Sequence, residues 1–218
     1  ERVLAVLNHE PDIYVSDLFQ PAIHYLEKIS GRLYSSETRT FRIIADHMRA
    51  SAFLLADEKA VTPSNKDQGY VLRRLIRRAV RLVYNWSIPP ADILSGVIEQ
   101  IIATMGEAYP ELVRQHDFII AEVKKEIIKF NYTLGRGLKE FERLVGHHHF
   151  ISGTDAFMLY QSYGFPWEMT KELAQERGLA VDEAGFQEEM KKHQELSRTA
   201  AAGKFKGGLA DNSLATTR

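Results

Sequence analysis

Residues 62–81 read TPSNKDQGYVLRRLIRRAVR, a polar turn followed by a helical pattern. Successive residues of an α-helix rotate by roughly 100°. On that wheel Arg73, Arg74, Arg77, Arg78 and Arg81 fall within an arc of roughly 140°. Leu72, Ile76, Ala79, Val80 and Val83 fall opposite. The spacing predicts an amphipathic helix with one face in a core and one presenting guanidinium groups to an anion. A basic helical face can equally be a solvated one. The polar turn just ahead of it, Thr62 to Asn65, favours a functional reading.

The same period extends outward in both directions. Leu18, Phe19, Ile23, Leu26 and Ile29 stand at helical spacing, as do Ile44, Met48, Ala52 and Leu55. Ile93, Leu94, Val97, Ile98, Ile101, Ile102 and Met105 form one stripe behind Pro89 and Pro90, and Pro is tolerated in a first helical turn. A long pattern opens at Pro110 and runs through Leu144, weakened near its end by Gly135 and Gly137. Beyond it the texture shortens, with helices predicted near 154–162, 167–177 and 183–199. Thr154 or Ser152 is a cap for the first, Gly164 and Gly178 are left-handed terminators, and Asp182 caps the third. Residues 149–151 read as a short extended segment. The fold class is therefore mainly all-α. Three parts are expected: a helical block over 1–145, a short-helix block over 146–199 and a flexible linker over 200–218.

Composition narrows the function. The chain has 218 residues, 44% hydrophobic and 26% charged, with a formal net charge of -1. It is not a globally basic nucleic-acid binder, so a polyanion site must be a local patch. From Lys66 to Arg81 six Lys or Arg face one Asp, Asp67, a local +5. The absence of cysteine excludes a disulfide framework, a thiolate nucleophile and a cysteine-ligated zinc. No apolar run approaches the ~20 residues that span a bilayer. The first residues lack a basic segment followed by an apolar core, the mark of a signal peptide. A cytoplasmic location and no membrane partner fit these features.

Chemistry-bearing patterns are few. His147, His148 and His149 are adjacent, and neighbouring side chains converge poorly on one ion. There is no nucleophile elbow, Walker loop or Gly-rich phosphate loop. No residue is assigned a catalytic role and no metal ligand is assigned. Asn65 is either a turn residue or an amide that probes a base edge while the arginines and Lys66 hold phosphates. Gln161, inside LYQSYGFP, is either a surface residue between two packed tyrosines or a second polar probe. The arginines have almost no acidic neighbour at i±4, which points to an external anion or a distant carboxylate.

Three blocks carry a resemblance. FRIIADHMRASAFLLADEKAVTPSNKDQGYVLRRLIRRAVR, LYQSYGFPWEMTKELAQERGLAVDEAGF and FKGGLAD, in this order, resemble the alanyl-tRNA synthetase family. The likeness covers essentially the whole chain. Its first residues, ERVLAVLNHEPDIYVSDLF, resemble the tail of the third class II synthetase motif, and the resemblance places Arg2 at the ATP γ-phosphate. The chain stops after FKGGLAD, ahead of the family's editing domain. The resemblance thus implies the helical tRNA-recognition region of an enzyme that attaches alanine to its tRNA. ATP, Mg2+ and zinc are implied for the parent enzyme and none for this region. The fragment is expected neither to form alanyl-adenylate nor to edit mischarged tRNA.

The resemblance also supplies a partner. The family identifies its tRNA by a G·U wobble at the third pair of the acceptor stem. An Asn and an Asp approach that pair from the minor-groove side. The Asn corresponds to Asn65, and the Asp position is Gln161 here, a departure from the family pattern. A carboxylate accepts strongly from the guanine amino group, whereas a Gln carbonyl accepts without charge. The wobble preference is therefore expected to weaken, by ~1 kcal/mol. Arg73, Arg74, Arg77, Arg78, Arg81 and Lys66 become candidates for the acceptor-stem backbone, with two or three of the arginines structural. The rival expectation is a connector that orients the parent's catalytic and editing domains without binding RNA.

Overall fold

Helix boundaries fall where proline, glycine and short polar side chains stand. The computed structural model describes residues 2–59, 61–147 and 150–205. Its first helices are α1 (Arg2–Leu7), α2 (Gln20–Ser30), α3 (Thr38–Ala56), α4 (Asp67–Val83) and α5 (Pro90–Met105). A single 3-10 turn at Ile13–Val15 precedes α2. Then come α6 (Pro110–Arg114), α7 (His116–His147), α8 (Gly153–Tyr163), α9 (Trp167–Glu176) and α10 (Glu183–Phe205). Pro90 and Pro110 each occupy the first turn of their helix, where a missing N–H costs no bond. Gly164 and Gly178 take the left-handed backbone the sequence assigned to them, at φ 71 and 68.

Three sequence expectations need adjustment. The long pattern from Pro110 is two helices, because Gln115 leaves helical geometry at φ −98 and ψ 10. Helix α10 runs on to Phe205, through the Ala-rich start of the segment read as a linker, because alanine carries the best helix propensity. The short extended segment is β1 (Phe150–Ile151), and it pairs in parallel with β2 (Ala180–Val181), which the sequence did not announce.

The chain separates into two units, Glu1–Gly135 and Arg136–Arg218. In the first, α3 packs against α4 and α5, and α2 against α5. Phe41, Ile44, Met48 and Leu55 of α3 meet Leu72, Ile76 and Val80 of α4 and the Ile93–Val97–Ile98 stripe of α5, all at 0% exposure. Burying each such side chain contributes roughly 1.5–3 kcal/mol. The 3-10 turn is tied to this core through Asp12. Its Oδ2 accepts from Tyr34 Oη at 2.5 Å and from Arg42 Nη2 at 2.7 Å. Burial pushes the Asp12 carboxyl up, but the Tyr34 and Arg42 hydrogen bonds outweigh it and hold it below the usual range.

Helix α7 enters the first unit at His116, whose Nδ1 lies 2.8 Å from Asp117 Oδ1 and whose Nε2 lies 2.8 Å from Glu99 Oε2 on α5. Both ring nitrogens face carboxylate oxygens, so both must donate, and the ring is the imidazolium. Hydrogen bonds to Asp117 and Glu99 accordingly raise its pKa above the ordinary value of 6.5.

The second unit is built on aromatic packing. Trp167 of α9 stacks on Phe186 of α10 at 4.5 Å between ring centroids, and Tyr160 of α8 meets the same ring edge-on. Phe165 is fully buried in the turn between α8 and α9. Between the two alternatives left by the sequence, Ser152 is the cap of α8: its Oγ accepts from the Asp155 N–H at 3.1 Å. Asp182 caps α10 through the Gly185 N–H at 2.9 Å. Among the described residues no helix is long and apolar enough to cross a membrane.

Candidate nucleic-acid interface

The polar turn folds back onto the helix it precedes. Ser64 N–H donates to Gly69 O at 3.0 Å. Ser64 Oγ donates to Lys66 O at 3.0 Å and accepts from Lys66 N at 3.2 Å. The return is possible because residue 69 is glycine. A Cβ there would lie 2.2 Å from Ser64 Oγ and 2.5 Å from Thr62 O. The left-handed residue of the turn is Asp67, at φ 48. Asp67 starts α4, and its carboxylate suits the positive end of the helix dipole.

Asn65 and Lys66 are exposed. Asn65 is nonetheless held: Arg73 Nη1 donates to its Oδ1, and Arg73 Nη2 reaches Pro63 O at 3.4 Å. One arginine of the helix therefore spans the turn that the sequence placed beside it.

The five arginines do not share one outward face. Arg77 turns inward and is 6% exposed. Its Nε donates to Glu126 Oε1 of α7 at 2.6 Å, its Nη2 lies 2.5 Å from the same oxygen, and its guanidinium sits 4.8 Å from the Phe130 ring centroid. The expectation of a backbone-gripping Arg77 is corrected accordingly, and the distant carboxylate that the sequence left open is Glu126. Arg73 Nε lies 3.4 Å from that oxygen. It makes no hydrogen bond there, so Glu126 holds Arg73 by charge alone. Two guanidinium groups share one carboxylate, and these three side chains sum to one positive charge beneath the Asn65 turn. Arg78 Nη1 approaches His47 Nε2 on α3 at 3.3 Å. A guanidinium only donates, so His47 Nε2 is the acceptor of that contact. Arg74 and Arg81 are partly exposed on the remaining face.

Glu126 escaped the sequence reading, although a signal exists. It stands three residues after Val123 and four before Phe130, at an apolar-face position of α7 where a carboxylate needs a cation. Gly69 escaped for a different reason: nothing in the local pattern says that Ser64 will return to it.

Gln161 lies on α8 in the second unit and is exposed. Its neighbour Tyr160 packs on Phe157 and Phe186, whereas Gln161 and Ser162 of LYQSYGFP are both exposed. Asn65 and Gln161 thus belong to different units. Arg2 is exposed on the six-residue α1. Among the described residues no three His, Asp or Glu side chains are placed to hold one metal ion. His148, His149 and most of FKGGLAD lie outside the described residues.

A family model described as class II (A) tRNA synthetases matches residues 1–216. An alanine–tRNA ligase of Borrelia hermsii (strain HS1 / DAH) is 44% identical over 223 residues, covering 100% of this chain and 37% of the relative. One of Treponema pallidum (strain Nichols) is 40% identical over 225 residues, with the same shares. One of Stenotrophomonas maltophilia (strain K279a) is 42% identical over 212 residues, covering 96% of this chain and 23% of the relative. The chain therefore spans 37% or less of the length of these relatives.

Proposed function

The chain belongs to the class II (A) tRNA synthetases, in a region shared with alanine–tRNA ligases, and on that premise we propose that it binds the acceptor stem of an alanine tRNA. The supporting observation is Asn65, an exposed amide held by Arg73, whose guanidinium shares the Glu126 carboxylate with Arg77. An RNA helix presents base edges and 2′-hydroxyls in a wide, shallow minor groove, flanked by phosphates. In this reading Asn65 and Gln161 are each base-recognition residues, while Lys66, Arg74, Arg78 and Arg81 neutralise the backbone. Arg73 and Arg77 serve the protein. The parent enzyme would join alanine to that tRNA with ATP; this region contributes recognition and not the chemical step.

The test is binding of the 218-residue chain to acceptor-stem hairpins across a salt series. Each phosphate contact contributes about 1 to the slope of log affinity on log salt. Lys66→Ala and Arg74→Ala are expected to flatten the slope by about that amount each. Affinity without any salt slope, or slopes unmoved by both variants, defeats the proposal.

A second reading, a connector between the catalytic and editing modules of the parent chain, draws on the Arg77–Glu126 pair, an arginine spent inside the molecule. It expects no more affinity for duplex RNA than a neutral helical protein has.

A further inference from the structure

Arginine has no acceptor, so the atom that Asn65 turns toward Arg73 must be its carbonyl oxygen. That choice follows from the chemistry of the pair and not from how an amide is drawn. Arg73 thereby fixes which end of the amide faces the protein and leaves the NH2 of Asn65, which only donates, for a partner. Arg73 in turn is 12% exposed along its side chain and leans on Glu126, itself 6% exposed. The acidic group is fixed by two close contacts to Arg77 and by its place on α7, far from the turn in sequence.

We propose that Glu126 is a positioning residue for base recognition, acting through Arg73 to set Asn65 as a hydrogen-bond donor. The inference rests on the RNA-binding reading above. It also sharpens that reading by naming the ligand chemistry. Asn65 addresses an acceptor, such as pyrimidine O2, purine N3 or a ribose 2′-oxygen, in the minor groove. The guanine amino group is itself a donor, so the Asn65 NH2 is not its partner. It falls to the carbonyl of Gln161. The two exposed amides then have opposite hydrogen-bonding roles.

Two measurements on the 218-residue chain separate this inference from the reading beneath it. The first needs no RNA: the NMR order of the Asn65 side-chain NH2. It is expected to be high in wild type and to fall in Arg73→Met, which leaves the Arg77–Glu126 pair intact. It is expected to fall also in the double variant Arg77→Met with Glu126→Gln, which removes the buried pair together and takes the carboxylate from Arg73. Unchanged order in either variant overturns the positioning role. The second is the ratio of affinities for hairpins with a wobble and with a Watson–Crick third pair. Asn65→Asp keeps an oxygen toward Arg73 but offers no donor. It is expected to lose the ratio as fully as Asn65→Ala, and Arg73→Met to reduce it about fivefold, one neutral hydrogen bond's worth. A ratio preserved in Asn65→Asp overturns the donor assignment. Absence of wild-type RNA binding defeats the functional reading, and the Asn65 order still decides the positioning.

Discussion

Arg77 of α4 and Glu126 of α7 meet in the interior of the first unit, where two guanidinium nitrogens lie 2.6 and 2.5 Å from one carboxylate oxygen. A buried pair of this kind is costly to break and cheap to replace as a whole. Glu126→Ala strands Arg77 and leaves Arg73 without its carboxylate, and it is expected to destabilise the chain by about 3–5 kcal/mol in denaturant unfolding. Arg77→Met with Glu126→Leu removes both charges and is expected to cost far less. Equal losses in the two variants would show that the pair contributes packing and not charge.

Gly69 carries a second prediction. The Ser64 return places Thr62 O and Ser64 Oγ where a methyl would stand, and one of the obstacles is backbone. Gly69→Ala is expected to destabilise by about 1–3 kcal/mol through overpacking, although alanine is the better helix former. The same variant displaces Asn65, so the wobble preference should fall with stability. A stabilised Gly69→Ala chain would mean that the turn does not close on α4 as described.

His116 gives the pH dependence. Its two carboxylate partners raise its folded pKa above the ordinary value of 6.5. A raised pKa in a cation means stability that is fully present below about 6.5 and lost as pH rises through the folded value. The difference in Tm between wild type and His116→Ala should therefore be largest near pH 6 and shrink above pH 8. The site is half-exposed, so the effect is a modest one. A difference that grows with pH contradicts the imidazolium assignment.

Most of the helical fold is legible in the sequence because burial follows the 3.6-residue period. Ile44, Met48 and Leu55, or Ile93, Val97 and Ile101, declare their faces without any tertiary information. What is not legible depends on partners remote in sequence. Arg77 and Arg78 belong to the same basic arc of the wheel, yet one is buried on Glu126 and the other reaches His47. No local rule separates them. The β1–β2 pairing is hidden for the same reason: two residues are too few for an alternating pattern, and their register is set by the second unit's packing. Of the candidate interface, Asn65 and Gln161 are visible as residues. The grip of Arg73 on Asn65 becomes visible only when the turn is closed.

The central claim, that Asn65 and Gln161 each serve base recognition in the acceptor stem, is tested most directly by a hairpin panel. Stems with G·U, G·C and A·U at the third pair are titrated with wild type, Asn65→Ala and Gln161→Asp. Asn65→Ala is expected to level the three affinities, and Gln161→Asp to sharpen the G·U preference by ~1 kcal/mol, because a carboxylate accepts from the guanine amino group more strongly than an amide does. A Gln161→Asp chain whose G·U preference is blunted, beside an Asn65→Ala chain that discriminates as wild type does, would contradict the account.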